Sequence, residues 1–342
     1  MLRYILRRIL ILPFTLFGLS ILIFGLLQLL DPIERASLYI TSPPRTASAM
    51  QDIIARYNLD APFYVQYWDW ISKVVRLDLG WSKSAGTPVL EAVGRFFPAT
   101  FELALWSFVP IMTLGVTLGV KAAVRQNRLA DQLARLFSIV GYAFPSFLFG
   151  LLLLLIFYAN LQWFPPGRLS DWATAAINSG GYNTITGMNT IDSLINGRLD
   201  IFLDALRHLL LPAATLSYVN IALVLRVTRS SMLDVLRAEY VTVARSKGLP
   251  EEHVIRRHAR PNAMIPVATI GGLLFAGLLN GAVLSETVFN YRGIGWWAAN
   301  AAGSLDAISV LGVTLLGGTL LIVANLGVDI LYAVLDPRIR LE

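Results

Sequence analysis

The chain contains no cysteine, few charged residues and few histidines. Of its 342 residues, three are histidine and 15% are charged. The lack of cysteine excludes disulfide bonds, thiolate metal sites and cysteine nucleophiles. An average soluble domain is about 25% charged, so the deficit of charge is large. The sequence also has no phosphate-binding loop of the form G-x-x-x-x-G-K-[ST]. We therefore expect that this chain is not an enzyme and does not hydrolyse ATP itself.

Apolar residues are present in excess, at 56% of the chain, and they occur in long blocks. A helix needs about 20 such residues to cross the hydrocarbon core of a bilayer. The first block is longer than the apolar region of a secretory signal, so we predict that it remains as an anchor. The pattern predicts an all-α membrane protein with six transmembrane helices. Their predicted bounds are 9–30, 98–120, 133–161, 209–225, 264–288 and 307–335.

Basic residues are divided unequally between the two sides of this six-helix arrangement. One side comprises the N-terminus, residues 121–135, residues 226–262 and the C-terminus, and with Asp329 near the end of the last span it carries 17 Lys and Arg against 8 Asp and Glu. The other side, with the span-edge acids Glu102 and Glu286, carries 11 against 14. An excess of Lys and Arg marks cytoplasmic loops, so both termini are predicted to be cytoplasmic. The net charge of +6 is then explained by orientation and indicates no nucleic-acid partner.

Two segments on the predicted extracytoplasmic side are too long to be simple turns. Residues 1–30 form the N-terminal stub and first helix, and residues 31–97 follow as an inserted segment with one or two short amphipathic helices. Its aromatic residues at 63–70 are predicted to lie at the membrane interface, with substrate contact as the alternative. Residues 162–208 have the composition of a loop. Residues 98–342 are predicted to form the five-helix core.

The predicted cytoplasmic loop at 230–262 has a helix–glycine–helix pattern. A first helix is predicted over 232–247, and Gly248 follows where a left-handed residue commonly closes a helix. Pro250 suits the start of a second helix, and Pro261 is predicted to end it. This loop could contact anionic lipid or dock a cytoplasmic protein, and the spacing alone does not decide between them.

Two stretches of this loop, residues 240–249 and 257–266, resemble the coupling-loop signature of ABC-importer permeases, in the version of the dipeptide/oligopeptide/nickel permease family. Further stretches agree in order along nearly the whole chain, at residues 6–8, 78–82, 88–89, 97–103, 286–295 and 329–340. The sequence departs from the pattern at three places. The first span ends in Leu30-Asp31-Pro32, where the family has Pro-Gly-Asp-Pro. Thr242 stands where the general signature has a glutamate, so an ion pair from that glutamate to an ATPase is not carried over. Arg292 stands where the family usually has a proline.

The resemblance implies a type I importer permease fold in a bacterial or archaeal cytoplasmic membrane. The implied partners are a second homologous permease, giving a heterodimer, an extracytoplasmic solute-binding protein and two cytoplasmic ATPase subunits. ATP and magnesium would bind to those ATPase subunits, and this chain would hold no cofactor, metal or catalytic residue. Peptides are the implied substrate, with oligosaccharides or nickel as alternatives. The residues implied in coupling are Tyr240, Ala244, Arg245, Lys247, Gly248, Pro261 and Asn262.

Two other classes of membrane protein fit the sequence less well. A secondary transporter or channel usually has ionisable residues near the middle of its spans, and the predicted spans here are almost free of charge. An intramembrane enzyme would need a nucleophile with a base, or a metal cluster. The three histidines, His208, His253 and His258, all lie outside the predicted spans. The sequence does not indicate which residues contact the substrate.

Overall fold

The computed structural model describes residues 2–37 and 47–335, which are mainly helical. The elements in chain order are α1 (Leu2–Leu27), α2 (Pro32–Ser37), α3 (Ala47–Arg56), α4 (Phe63–Val75), β1 (Trp81–Ser82), β2 (Thr87–Pro88), α5 (Val89–Val124), α6 (Leu129–Ala143), α7 (Ser146–Leu153) with a π-helical extension (Leu154–Asn160), α8 (Asp171–Asn178), α9 (Asn189–Ile195), α10 (Leu199–Leu236), α11 (Glu239–Ser246), α12 (Glu251–His253) with a π-helical turn (Val254–Ala259), α13 (Arg260–Leu279), α14 (Val283–Val288), α15 (Ile294–Gly303) and α16 (Ala307–Leu335).

Five described helices are long and apolar enough to cross a membrane: α1, α5, α10, the continuous helix α12–α13, and α16. The sixth predicted span is the pair α6 and α7, which is bent by 97° between them. The break falls at Phe144, whose ψ of 121° is extended. Proline disfavours the helical conformation in the residue before it, so Pro145 accounts for this break. Each predicted span is thus matched by a helix or a bent pair.

The helices of the second and fourth spans, α5 and α10, are longer than predicted and longer than a bilayer requires. The helix α5 begins at Val89 and not at residue 98, and it contains Pro98 and Pro110. The helix α10 covers 38 residues, whereas residues 209–225 were predicted. Its predicted end was set by nearby arginines, but Arg229 stays within the helix because it pairs with a buried carboxylate of α6.

The fifth span is shorter on one side than predicted. The helix α13 ends at Leu279, and residues 283–288, which were predicted to continue it, form the separate helix α14. Gly281 lies between them with a φ of +93°. A side chain there would meet the backbone nitrogen of Gly295 at 2.8 Å. The chain therefore turns where two backbone segments approach too closely for any residue but glycine.

We call the end of the bundle that carries the start of α1 and the loop from α10 to α12 the basic end, and the other the opposite end. The inserted segment after α1 lies at the opposite end and contains α2, α3, α4 and a hairpin. In that hairpin β1 and β2 are antiparallel, with Trp81 opposite Pro88 and Ser82 opposite Thr87. Residues 38–46 of the insertion and 336–342 of the C-terminus lie outside the described residues.

Aromatic residues of α4 attach the inserted segment to the first span. The ring of Tyr67 is 5.6 Å from that of Phe24 in α1, and its hydroxyl lies 2.7 Å from the hydroxyl of Ser20. Tyr67 is buried, whereas Tyr64 and Trp68 are largely exposed. The aromatic cluster at 63–70 therefore divides into residues that hold α4 on α1 and residues that face outwards.

The helix α10 is the most enclosed of the spans, and 61% of its most apolar stretch is buried. Its closest neighbour is α5, where Gly115 faces Val224 and Gly119 faces Thr228. Small residues of this kind let the backbones of membrane helices approach closely. The core formed between them includes Ile111 of α5 and the partly buried α13 residue Phe275.

At the basic end, an ion pair fixes the start of α6 against α10. The guanidinium of Arg229 donates to both carboxylate oxygens of Asp131, at 2.5 and 3.0 Å. Asp131 also accepts a hydrogen bond from the backbone N–H of Asn127, whose φ is +63°. Asp131 is fully buried. The short turn between α5 and α6 is thereby fastened to α10, the helix that leads into the loop before α11.

Candidate functional site

The loop between α10 and α13 forms a compact projection at the basic end. It consists of α11, the turn at Gly248 and the helix that begins at Glu251. The predicted left-handed cap is confirmed, because Gly248 has a φ of +77° and its N–H donates to the carbonyl of Arg245 at 2.9 Å. Lys247 is the C-terminal capping residue of α11. The chain reverses here within a few residues, so α11 and α12 are close neighbours.

The predicted helix over 232–247 is wrong, because two helices share those residues. Residues 232–236 are the last turn of α10, and α11 begins at Glu239. The N–H of Arg237 closes α10 on the carbonyl of Asp234, and Ala238 is extended, with a ψ of 146°. Met232 is fully buried beneath the loop, so packing holds the end of α10 while α11 takes a new direction.

The prediction that Pro261 ends the second helix is also wrong. The helix continues without interruption from Glu251 to Leu279. Pro261 occupies one of the first two positions of α13, directly after the π-helical turn at Val254–Ala259. A proline at such a position needs no partner for its missing N–H, and the wider turn before it accommodates the ring. The loop is therefore continuous with the fifth span and forms a rigid extension of it.

Arg245 holds the two sides of the Gly248 turn together. Its Nε and Nη2 atoms donate to the two carboxylate oxygens of Glu251, at 3.0 and 2.7 Å. Its Nη1 atom donates to the carbonyl of Leu236 at the end of α10, at 3.3 Å. The hydrogen bond from Arg245 lowers the pKa of Glu251 below its ordinary value, so the carboxylate is charged at neutral pH. One side chain thus connects α10, α11 and α12.

Among the residues implied in coupling, Ala244 lies inside the loop and Tyr240 lies on its surface. Ala244 is only 5% exposed and packs with Val241 and Val254 in a small core of its own, so it supports the loop from inside. Tyr240 is 45% exposed and Val243 53%, and they present an apolar surface on the outer side of α11. A partner protein can reach these two residues directly, and it cannot reach Ala244.

An open cleft lies along the helix that follows the Gly248 turn, and two arginines are among its lining residues. The cleft has a volume of about 690 Å³. It is lined by Pro250, Glu252, His253, Arg256, Arg257 and Pro261. Asn262 is exposed on the same helix, and its amide donates to the carbonyl of His258 at 2.9 Å. We call Tyr240, Val243 and the cleft together the coupling surface, after the signature that this loop resembles.

Comparison with known proteins identifies the family of this fold and loop. Residues 115–341 match the model of the binding-protein-dependent transport system inner membrane component, and residues 1–104 match the N-terminal model of the same systems. The chain belongs to this family of ABC-importer permeases. It is a multi-pass membrane protein that works with ATPase and binding-protein partners, and the ATPase subunits of such importers hydrolyse the ATP.

Relatives of the permease extend over nearly its whole length. The Di/tripeptide transport system permease protein DppB of Pseudomonas aeruginosa (strain UCBPP-PA14) is 40% identical over 99% of both chains. The probable D,D-dipeptide transport system permease protein DdpB of Escherichia coli (strain K12) is 40% identical over 85% of this chain and 84% of its own. The Oligopeptide transport system permease protein AppB of Bacillus subtilis (strain 168) is 34% identical over 98% and 99%.

The permease also contains a buried charge network at its opposite end, which its sequence did not predict. Glu102 of α5 accepts hydrogen bonds from Arg168 at 3.0 Å, from the hydroxyl of Tyr291 at 2.9 Å and from the backbone N–H of Thr190 at 2.6 Å. Arg168 also donates to the carbonyl of Gly187 at 2.9 Å. Burial raises the pKa of Tyr291 well above its ordinary value, so its hydroxyl remains a donor. The network joins three chain segments that are far apart in sequence.

A second buried carboxylate at this end organises α15. Glu286 is fully buried and accepts hydrogen bonds from the hydroxyl of Thr100 and from the backbone N–H of Trp296, both at 2.9 Å. The hydroxyl of Thr100 in turn accepts the N–H of Ile294 at 2.8 Å. The carboxylate therefore lies at the N-terminus of α15, where negative charge is stabilised by the helix dipole. The motifs at 97–103 and 286–295, which are distant in sequence, meet at this point.

Replacing Glu102 by glutamine is expected to destabilise the permease by about 3 kcal/mol, because it leaves the guanidinium of Arg168 without its charged partner. Thermal unfolding of the detergent-purified protein measures the effect. The matched control is Glu91→Gln on the same helix, whose ion pair with Arg95 is exposed and contributes under about 1 kcal/mol. Equal melting temperatures for the two variants would contradict the structural role of the buried network.

Proposed function

We propose that the chain forms half of the translocation path of an ATP-driven importer for peptides. The three relatives named above carry peptide, dipeptide or oligopeptide in their names, and two of them align over almost all of this chain. In this proposal the second half of the path is a homologous but different permease, and the organism is a bacterium. A solute-binding protein delivers the peptide at the opposite end, which faces away from the cytoplasm, and both termini are cytoplasmic.

The coupling surface is proposed to receive the cytoplasmic ATPase subunits, which hold ATP and magnesium. The observation that carries this proposal is the rigid attachment of that surface to two spans. Arg245 binds the end of α10 and the start of the helix that continues into the fifth span. Ser231 of α10 donates to the carbonyl of Ala263 in α13 at 2.9 Å. A displacement of Tyr240 and Val243 is therefore passed to the spans and is not absorbed by a flexible loop.

Uptake by the assembled importer in proteoliposomes tests the substrate. With the binding protein and a radiolabelled dipeptide outside the vesicles and ATP enclosed in their lumen, on the side of the ATPase subunits, we expect ATP-dependent accumulation of the dipeptide. We expect excess unlabelled tripeptide to compete. An oligosaccharide of similar mass and Ni²⁺ are added in separate experiments as competitors from the two alternative substrate classes. Competition by either of them, without competition by peptides, would overturn the peptide assignment while leaving the importer class intact. Vesicles without ATP provide the background.

A further inference from the structure

A cavity of about 570 Å³ lies at the opposite end, between the inserted segment and the spans. Its roof is formed by α4 and the loop that follows, and its floor by α1 and α16. The volume is within the range of cavities that hold small organic ligands. It is separated from the coupling surface by the length of the bundle, and neither proposed role of the chain uses it.

The floor of the cavity consists of apolar side chains on two membrane-spanning helices. Leu27 of α1 and Ile308, Leu311 and Leu315 of α16 line it. From Ile308 to Leu315 the helix advances seven residues, which is about 10 Å along its axis. Because α16 begins at residue 307, the floor reaches from the end of that helix into the hydrocarbon region. A ligand on this floor would contact apolar surface at the depth of lipid acyl chains.

The roof of the cavity is cationic. Its charged residues are Arg56, Lys73, Arg76, Lys83, Asp69 and Asp78, with a formal excess of two positive charges. Lys73 and Arg76 are exposed, lie three residues apart at the end of α4, and form no ion pair with any side chain that the structure describes. One oxygen of Asp78 accepts the N–H of Gly80. A ligand that brought an anionic group to this roof would therefore supply the missing partners of two cations.

We propose that the cavity binds an anionic phospholipid of the leaflet at the opposite end. The phosphate would lie against Lys73 and Arg76, and the upper acyl chains against Leu311 and Leu315. Trp70 and Trp81 also line the cavity, and tryptophan is enriched at the boundary between headgroups and hydrocarbon. A bound lipid would fasten the inserted segment, which α4 otherwise attaches to α1 through its aromatic rings, to α16 as well.

Lipid retention measured by native mass spectrometry tests this site. The assembled importer is exchanged into detergent with equal amounts of phosphatidylglycerol and phosphatidylcholine that have the same acyl chains. We expect preferential retention of one phosphatidylglycerol, and we expect Lys73→Gln/Arg76→Gln to weaken it at least about tenfold, because both charge-assisted contacts to the phosphate are lost. The matched control is Arg95→Gln/Arg198→Gln, which removes two positive charges from residues outside the cavity.

A second variant keeps the proposal testable if the double neutralisation disturbs folding. Leu311→Trp leaves the cations in place and fills the floor, so it is expected to release the same lipid. Equal retention of the two lipids, or equal loss in the Arg95/Arg198 control, would overturn the proposal. So would unchanged retention in Lys73→Gln/Arg76→Gln, since the two cations would then only complement the dipole of α4. If this variant kept its lipid but its ATP hydrolysis were no longer stimulated by the binding protein, the two cations would be assigned to a protein contact instead.

Discussion

Gly248→Val is expected to lower peptide uptake at least about tenfold while the importer still assembles. A left-handed residue other than glycine costs roughly 1–2 kcal/mol, and a β-branched side chain costs more. Gly248 has a φ of +77°, so valine would drive the turn towards another conformation. That change would move α11 away from Glu251 and displace the coupling surface relative to the fifth span. Uptake and ATP hydrolysis, measured in the same proteoliposomes, would show hydrolysis that no longer drives transport.

The matched control for this variant is Gly248→Asn. Asparagine adopts the left-handed conformation more readily than other non-glycine residues, and a Cβ atom at this position meets nothing within 4 Å. We expect Gly248→Asn to retain at least about half of the uptake. Because both variants add a side chain into open space, a steric clash cannot account for a difference between them. Equal uptake by the valine and asparagine variants would remove the left-handed turn from the coupling mechanism.

The sequence was sufficient to predict this turn because its cause is local. A glycine after an amphipathic stretch and a proline two residues later indicate the end of one helix and the start of another. The continuation of the helix through Pro261 depends instead on a π-helical turn before it, which no local pattern signals. The partner of Arg245 likewise comes from the folded geometry. Glu251 is visible in the sequence as an acidic residue of a first helical turn, and only the sharp reversal brings it to Arg245.

The spans show the same division between local and long-range causes. Apolar runs of sufficient length predicted the location of the six spans, since the bilayer imposes that length on each helix separately. The length of α10 was underestimated because an arginine such as Arg229 usually marks the end of a membrane span. Its partner Asp131 is 98 residues away in the sequence, so the pair could not be predicted. Glu102 and Glu286 are predictable as acids near span ends. Their partners lie on other segments, so their role in joining those segments could not be predicted from spacing.

Gly119→Ala is expected to destabilise the permease by about 3 kcal/mol and to reduce the yield of folded protein. The added methyl group would lie 2.6 Å from the Cβ atom of Thr228 and 2.8 Å from the carbonyl oxygen of Leu225. Neither group can move aside, because one is helix backbone and the other is a β-branched side chain with restricted rotation. Inserting atoms into a packed core typically costs about 1–3 kcal/mol. The two helices would have to separate, and α10 carries the coupling surface at its end.

Gly94→Ala on the same helix is the matched control for this prediction. Gly94 is exposed, and a Cβ atom there meets nothing within 4 Å. Alanine is favoured over glycine within a helix by up to about 1 kcal/mol, so this variant is expected to be neutral or slightly stabilised. Of the two identical substitutions, only Gly119→Ala is thus predicted to lower the melting temperature in detergent. Combining Gly119→Ala with Thr228→Gly removes the shorter contact and should recover part of the loss. Equal melting temperatures for the two single variants would show that α5 and α10 are not held at this distance.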